Sequence, residues 1–125
     1  MKIYRSSRDG IGIWRLSGVI DRDDAYTLMH SLRESGALST GCFILDFEDV
    51  DHVDYRVVEL IENWFPAGSE VLFCGLSDYV LNIFVFAGSR AEMPIFADWR
   101  KALQYLLTER GKLSHAGLIG SSQHA

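Results

Sequence analysis

The sequence predicts an α/β fold, in which a mixed, mostly parallel sheet of four or five strands packs against about four helices. Short apolar segments alternate along the chain with segments of helical periodicity, in the order β-β-α-β-α-β-α-β-α. Residues 41–47 (GCFILDF) are predominantly apolar, as expected for a central strand that is buried on both faces. Residues 6–10 (SSRDG) favour a turn between the first two strands, which predicts an antiparallel hairpin strand at one side of the sheet.

Four further segments complete the predicted sheet. Residues 2–5 (KIYR) and 11–20 (IGIWRLSGVI) form the hairpin, and apolar residues recur in rough alternation along the second of them. Residues 70–75 (EVLFCG) form another strand. Residues 94–96 (PIF) are expected to form a brief strand at an edge, where Pro94 is tolerated because its missing N–H faces away from the sheet.

The predicted helices begin after residues that cap helix N-termini, namely Asp21, Asp54 and Ser77. Their apolar residues repeat at the i, i+3, i+4, i+7 spacing of one buried face. These sets are Ala25, Leu28, Met29 and Leu32; Val57, Leu60, Ile61 and Trp64; Val80, Ile83, Phe84 and Ala87; and Trp99, Ala102, Leu103 and Leu106. The residues expected to stop the helices are Gly36; Phe65, Pro66 and Gly68; Gly88; and Gly111.

The length and charge of the chain restrict its class. We expect one domain over residues 1–111, followed by a mobile C-terminal tail over residues 112–125, which is rich in Gly, Ser and His. The net charge is −5 and the basic residues are scattered, which argues against nucleic acid as a partner. No apolar run approaches the roughly 20 residues that span a bilayer, and no export signal is visible. We therefore expect a cytoplasmic protein without a membrane anchor.

The two cysteines, Cys42 and Cys74, lie in predicted strands and belong to no metal-binding or redox motif. The sequence favours two buried thiols in neighbouring strands.

Three motifs, taken in order, make the sequence similar to a known family. They are GVID at 18–21, ILD at 44–46 followed by VD at 53–54, and LFCGLS at 72–77. This set resembles the STAS family, the domain shared by sulfate transporters and anti-sigma factor antagonists. The resemblance implies helices packed largely on one face of the sheet. It also implies a binding partner rather than an enzyme. We expect no cofactor and no metal.

The position that carries regulation in that family differs in this sequence. The family's switch is a Ser or Thr directly after an Asp at the start of the second helix, whereas Tyr55 follows Asp54 here. A partner kinase of the GHKL type would meet an aromatic ring, whose hydroxyl lies farther from the backbone than that of serine. We therefore predict a non-enzymatic regulatory interaction module in bacterial signalling or partner switching, unphosphorylated at Tyr55. Its expected partner is a protein, such as a GHKL-type anti-sigma factor or sensor kinase.

The start of the second helix also predicts a docking edge for that partner. Unpaired backbone N–H groups in a first helical turn stabilise negative charge. We expect Arg56 to hold a carboxylate or phosphate of the partner and Tyr55 to anchor the interface. The predicted edge combines Asp21, a loop of residues 49–56 and Ser77; its contact residues are Asp21, Asp51, His52, Asp54, Tyr55, Arg56 and Ser77. The alternative is that Asp54 and Ser77 only cap helices and that Tyr55 covers apolar neighbours.

The predicted third helix is apolar around most of its circumference. Complete burial under the last helix explains this composition, and so does contact with a partner or with a second copy of the chain in a homodimer.

A function of a different class also stays open. Asp46 is predicted to end a buried strand, where an acidic Mg²⁺ pocket would give a receiver-like phosphoacceptor. The carboxylates available to such a pocket are Asp21, Asp23, Asp24, Asp49, Asp51 and Asp54. No Lys follows the predicted strand at 94–96 before Lys101 in the last helix, so the transferred phosphoryl group would lack its charge partner. Solvated loop carboxylates, with His52 as an exposed loop residue, are the alternative.

Overall fold

A computed structural model describes residues 1–36, 41–64, 70–88 and 95–109. In chain order its elements are β1 (Lys2–Arg8), β2 (Ile11–Ile20), α1 (Arg22–Ser35), β3 (Cys42–Val53), α2 (Tyr55–Trp64), β4 (Glu70–Cys74), α3 (Asp78–Phe86), β5 (Ile95–Phe96) and α4 (residues 99–109). This order is the predicted one, so the α/β prediction is confirmed.

The five strands form one sheet in the order β1-β2-β3-β4-β5. β1 pairs antiparallel with β2, and the other neighbouring strands are parallel, as predicted. β1 continues to Arg8, beyond the predicted end at residue 5, because the hairpin turn uses only Asp9 and Gly10. Their φ angles of 54° and 78° have the positive sign that a type I′ hairpin turn requires.

The two faces of the sheet are covered by different helices. Side chains alternate along β3, so that Phe43, Leu45 and Phe47 face α1, α2 and α3, whereas Ile44 faces α4. In the part of the chain that the structure describes, three helices therefore lie on one face and one on the other, which confirms the expectation of helices largely on one face. The buried residues beneath α4 are Ile11, Ile13, Ile44, Leu72 and Cys74.

The predicted loop at residues 49–56 is wrong, because β3 continues to Val53 and α2 begins at Tyr55. Val50 and Val53 are buried against the helices, and β2 stays paired with β3 as far as Ile20 and Val53. The pairing is irregular at two places, one of them beside Gly18, which has a φ of 82°. These irregularities break the alternation of polar and apolar residues that identifies a strand in a sequence.

The predicted caps of α1 and α3 are present. Asp21 accepts a hydrogen bond from the backbone N–H of Asp24 at 2.8 Å, and Ser77 accepts one from Val80 at 3.2 Å. Gly36 ends α1 with a φ of 72°. No helix in the described ranges is long and apolar enough to cross a membrane.

Several sequence predictions fall outside the described residues. They are the side chain of Trp64, the helix stops at Phe65, Pro66, Gly68 and Gly111, the edge position of Pro94 and the tail at 112–125.

Candidate functional site at the start of α2

Asp54 is the single residue between β3 and α2, and it caps the helix. Its backbone N–H donates to the carbonyl of Ile20 at 3.0 Å, which attaches this junction to the end of β2. Its carboxylate accepts the backbone N–H of Arg56 at 2.9 Å. Because Arg56 occupies the second helical position, this is the hydrogen bond of an N-cap.

The guanidinium of Arg56 returns to the same carboxylate. Nε donates to Oδ1 of Asp54 at 3.0 Å and Nη2 donates to Oδ2 at 2.7 Å, which is a bidentate pair. The hydrogen bonds from Arg56 lower the pKa of Asp54 to about 2. A partner's anion must therefore compete with Asp54 for these two N–H groups or bind the remaining ones, because a guanidinium carries five N–H donors.

Tyr55 projects from the first turn of α2 into solvent. Its residue surface is 55% exposed, and its ring meets that of Phe86 edge-on, with centroids 5.8 Å apart. Phe86 is itself 79% exposed at the end of α3. Large aromatic side chains that stay exposed together are typical of protein-binding surfaces.

A groove of about 360 Å³ runs between the start of α2 and α3. Its walls include His52, Asp54, Tyr55, Tyr79, Ile83 and Phe86. His52 and Tyr79 join β3 to the first turn of α3 through a contact of 2.6 Å between Nδ1 and the phenol oxygen. His52 is therefore a half-buried strand residue with a hydrogen-bond partner, where the sequence suggested an exposed loop histidine.

A second groove of about 470 Å³ lies on the other side of Asp54, lined by Asp21, Arg22, Asp23, Tyr26, Asp54 and Arg56. The structure thus brings Asp21 together with Asp54 and Arg56, as the predicted edge requires. Asp51 and Ser77 are exposed but do not line either groove. Sequence reasoning missed Tyr26. Tyr79 and Phe86 belong to the predicted third helix, for which the sequence left contact with a partner open. Both side chains are exposed, and α4 lies on the other face of the sheet, so complete burial of this helix under the last helix is wrong.

The acidic pocket of the receiver-like alternative does not form in the described residues. Asp46 lies within β3 and is buried, with 1% of its surface exposed. Its carboxylate accepts Nε of Arg15 at 3.1 Å and the backbone N–H of Glu48 at 2.9 Å. Arg15 also contacts the carboxylates of Glu48 and Asp49. The charge of Asp46 is therefore balanced by a cation from β2. In the described ranges, no group of three His, Cys, Asp or Glu residues is placed to hold a metal ion.

The two cysteines lie in the adjacent strands β3 and β4, as the sequence predicted. Cys74 is buried, whereas Cys42 is only half-buried. Burial, together with the nearby carboxylate of Asp46, raises the pKa of the Cys74 thiol.

Comparisons with known proteins agree with the fold described above. A family model described as STAS domain matches residues 3–102. An anti-sigma factor antagonist from Mycobacterium paratuberculosis superimposes with a TM-score of 0.70 at 15% identity, over 83% of this chain and 92% of its own. RsbS from Moorella thermoacetica, in a Ser-to-Glu form, gives a TM-score of 0.68 at 16% identity, over 88% of this chain and 98% of its own. The anti-sigma factor antagonist SpoIIAA in its unphosphorylated form gives a TM-score of 0.67 at 16% identity, over 86% of this chain and 97% of its own. No curated protein matches the sequence.

Proposed function

Because the chain belongs to the STAS domain family, we propose that it is a non-enzymatic interaction module of bacterial partner switching, which works without phosphorylation at the start of α2. Its partner is a protein, of which a GHKL-type anti-sigma factor or sensor kinase is the leading class. The proposal includes a cytoplasmic location and no requirement for a cofactor.

The observation that carries this proposal is the exposed Tyr55 at the first position of α2. The resemblance described above places the family's phosphoacceptor Ser or Thr directly after an Asp at this position, and Asp54 is that Asp here. The ring of Tyr55 contacts that of Phe86 on α3 edge-on, so a large aromatic side chain occupies the position of the acceptor. A kinase that places a serine hydroxyl beside the helix start would not find an acceptor oxygen at the same distance from the backbone.

The chemistry of the docking edge favours a partner with an apolar side chain beside a charged group. Tyr55, Tyr79 and Phe86 supply the rim of an apolar groove, and aromatic residues of this kind are enriched among the residues that dominate binding energy. Asp54 lines that groove, and Arg56, whose side chain is 53% exposed, lines the second groove on the other side of Asp54. A partner's carboxylate or cation can therefore bind this pair at its exposed side and fix the register of the complex.

Binding to candidate GHKL-type partners tests the proposed docking edge. Tyr55→Ala and Arg56→Ala should each weaken binding in a calorimetric titration or pull-down, by about tenfold for an anchoring aromatic residue. Tyr105→Ala is the control for Tyr55, because Tyr105 is also an exposed tyrosine but lies on α4, outside the docking edge. If neither Tyr55→Ala nor Arg56→Ala changes the affinity, the assignment of the docking edge is wrong.

Intact mass spectrometry tests the unmodified state separately. The chain is incubated with ATP and a GHKL-type kinase that phosphorylates an ordinary STAS domain in a parallel reaction. We expect no mass increase. A phosphate on Tyr55 or on a neighbouring residue would end this part of the proposal.

A further inference from the structure

We propose that the outer edge of β1 binds an acidic, extended peptide segment, which joins the sheet as an additional strand and carries a carboxylate at every third residue. This surface is separate from the docking edge at α2, and the inference does not depend on the function proposed for that edge.

The backbone of β1 supplies the first half of the argument. β1 is the terminal strand of the sheet in the described part of the chain, and all seven of its residues are exposed except Ile3, which is half-buried. In an antiparallel pair, alternate residues of an edge strand direct both N–H and C=O away from their partner strand. A strand of this length has room for a second strand, which gains main-chain hydrogen bonds when it is added.

The side chains of β1 select the charge of the added strand. The sequence KIYRSSR contains the cations Lys2, Arg5 and Arg8 and no acidic residue, in a chain whose net charge is −5. Two copies of β1 paired antiparallel around Arg5 would place Lys2 against Arg8 and Arg5 against itself. Like charges directly opposite each other destabilise a strand pair, so this edge disfavours a second copy and favours an acidic strand.

Two of these cations are held in place by tryptophans on opposite sides of the sheet. The guanidinium carbon of Arg5 lies 4.7 Å from the ring centroid of Trp14, which belongs to the core beneath α1, α2 and α3. That of Arg8 lies 5.3 Å from the ring centroid of Trp99 on α4. Stacking occupies a face of the planar guanidinium and leaves N–H groups at its rim for a carboxylate.

The spacing of the cations defines the pattern that the added strand must carry. Lys2, Arg5 and Arg8 are three residues apart, so successive cations lie on alternate faces of β1. Side chains directly opposite each other on paired strands share a face. A matching strand therefore has acidic residues at positions i, i+3 and i+6, whereas acidic residues at every second position fall on one face only.

Two blocked peptides of identical composition test this pattern. Their sequences are ETVEVTE, with Glu at every third residue, and TEVEVET, with Glu at every second residue. By fluorescence anisotropy at low salt we expect ETVEVTE to bind roughly fivefold more tightly, because each of its three Glu residues can lie opposite a cation of β1. N-methylation of alternate amides on the hydrogen-bonding edge should abolish binding while keeping the charge. The proposal is wrong if all three peptides bind with equal affinity or if none of them binds.

A charge swap localises the contact to β1. Arg8→Glu should weaken the binding of ETVEVTE roughly fivefold, and either KTVEVTE or ETVEVTK should restore it; the peptide that does so gives the strand direction. Arg33→Glu, at the exposed end of α1, is the control and should leave binding unchanged. Failure of both Lys peptides to restore binding would count against strand pairing.

Amide hydrogen exchange followed by NMR gives a readout that charge attraction alone would not move. ETVEVTE should slow exchange at alternate amides of residues 2–8 and leave residues 54–56 unaffected. Protection elsewhere, or a concentration-dependent dimer through β1 in the absence of peptide, would refute the inference. Tyr55→Ala should bind the peptide as the wild type does, so failure here is distinguishable from failure of the α2 dock.

Discussion

Replacement of Asp54 with Asn isolates the charge at the start of α2 from the helix cap. Asn is nearly isosteric and still accepts the N–H of Arg56, so the cap is kept. The pKa of Asp54 falls from 3.8 to about 2; at 1.36 kcal/mol per unit, this corresponds to about 2.5 kcal/mol. The side chains of Asp54 and Arg56 are 24% and 53% exposed, and solvent screening reduces the expected value to about 1 kcal/mol. We expect Asp54→Asn to lower the free energy of unfolding by this amount near neutral pH.

The pH dependence of that loss distinguishes an ion pair from a simple packing defect. Because folding depresses the pKa of Asp54, its carboxylate stabilises the fold above the unfolded-state pKa of about 3.9. This stabilisation is lost as the pH falls through about 2. Urea unfolding of both proteins should therefore show a constant difference above about pH 5 that shrinks towards zero at the acid end.

Asp51→Asn is the control for this measurement, because it removes another carboxylate at the end of β3 without an ion pair in the described structure. We expect a change below about 0.5 kcal/mol. A difference for Asp54→Asn that stayed the same at every pH, or its absence near neutral pH, would refute the reasoning.

Three other substitutions test contacts at the sheet and the groove, with the free energy of unfolding as the measured quantity. Gly75→Ala should destabilise the fold by more than about 2 kcal/mol, because its Cβ would lie 2.7 Å from Oδ1 of Asp46. Gly88→Ala is the control, with a similar φ but open space around it, and should destabilise by only about 1 kcal/mol. Equal losses would contradict the steric argument. Arg15→Met should cost about 3 kcal/mol, since it leaves the buried carboxylate of Asp46 without its cation; an unchanged free energy of unfolding would contradict this ion pair. Tyr79→Phe removes the hydroxyl that contacts His52 and should cost about 1 kcal/mol. An unchanged free energy of unfolding would show that the contact is absent in solution.

The helices illustrate how much of the fold could be predicted from the sequence. The capping residues Asp21 and Ser77 were assigned correctly because a cap and its acceptor N–H lie within three residues of each other. The ion pair between Asp54 and Arg56 has the same local character, since it spans only two residues. A sequence reading that compared these two side chains with each other before assigning Arg56 to a partner would have found it.

The candidate site was predicted less completely, because part of it is built from distant segments. His52 and Tyr79 are 27 residues apart, and nothing in either segment indicates their contact. The alternative of a Mg²⁺ pocket at Asp46 stays open in the sequence because the cation that pairs with this carboxylate, Arg15, is 31 residues away on a neighbouring strand. The end of β3 was misplaced for the same reason, as pairing with β2 extends it through a polar stretch.

The sequence by itself determined the order of the elements, the buried faces of the helices and the aromatic residue at the start of α2. These features follow from backbone propensities and periodicities that operate over a few residues. Only the tertiary structure decided where β3 ends, which carboxylates are neutralised, and that Tyr55 and Phe86 form one exposed surface. The physical reason is that strand pairing and side-chain contacts across the sheet depend on segments brought together by folding, whose register no local pattern encodes.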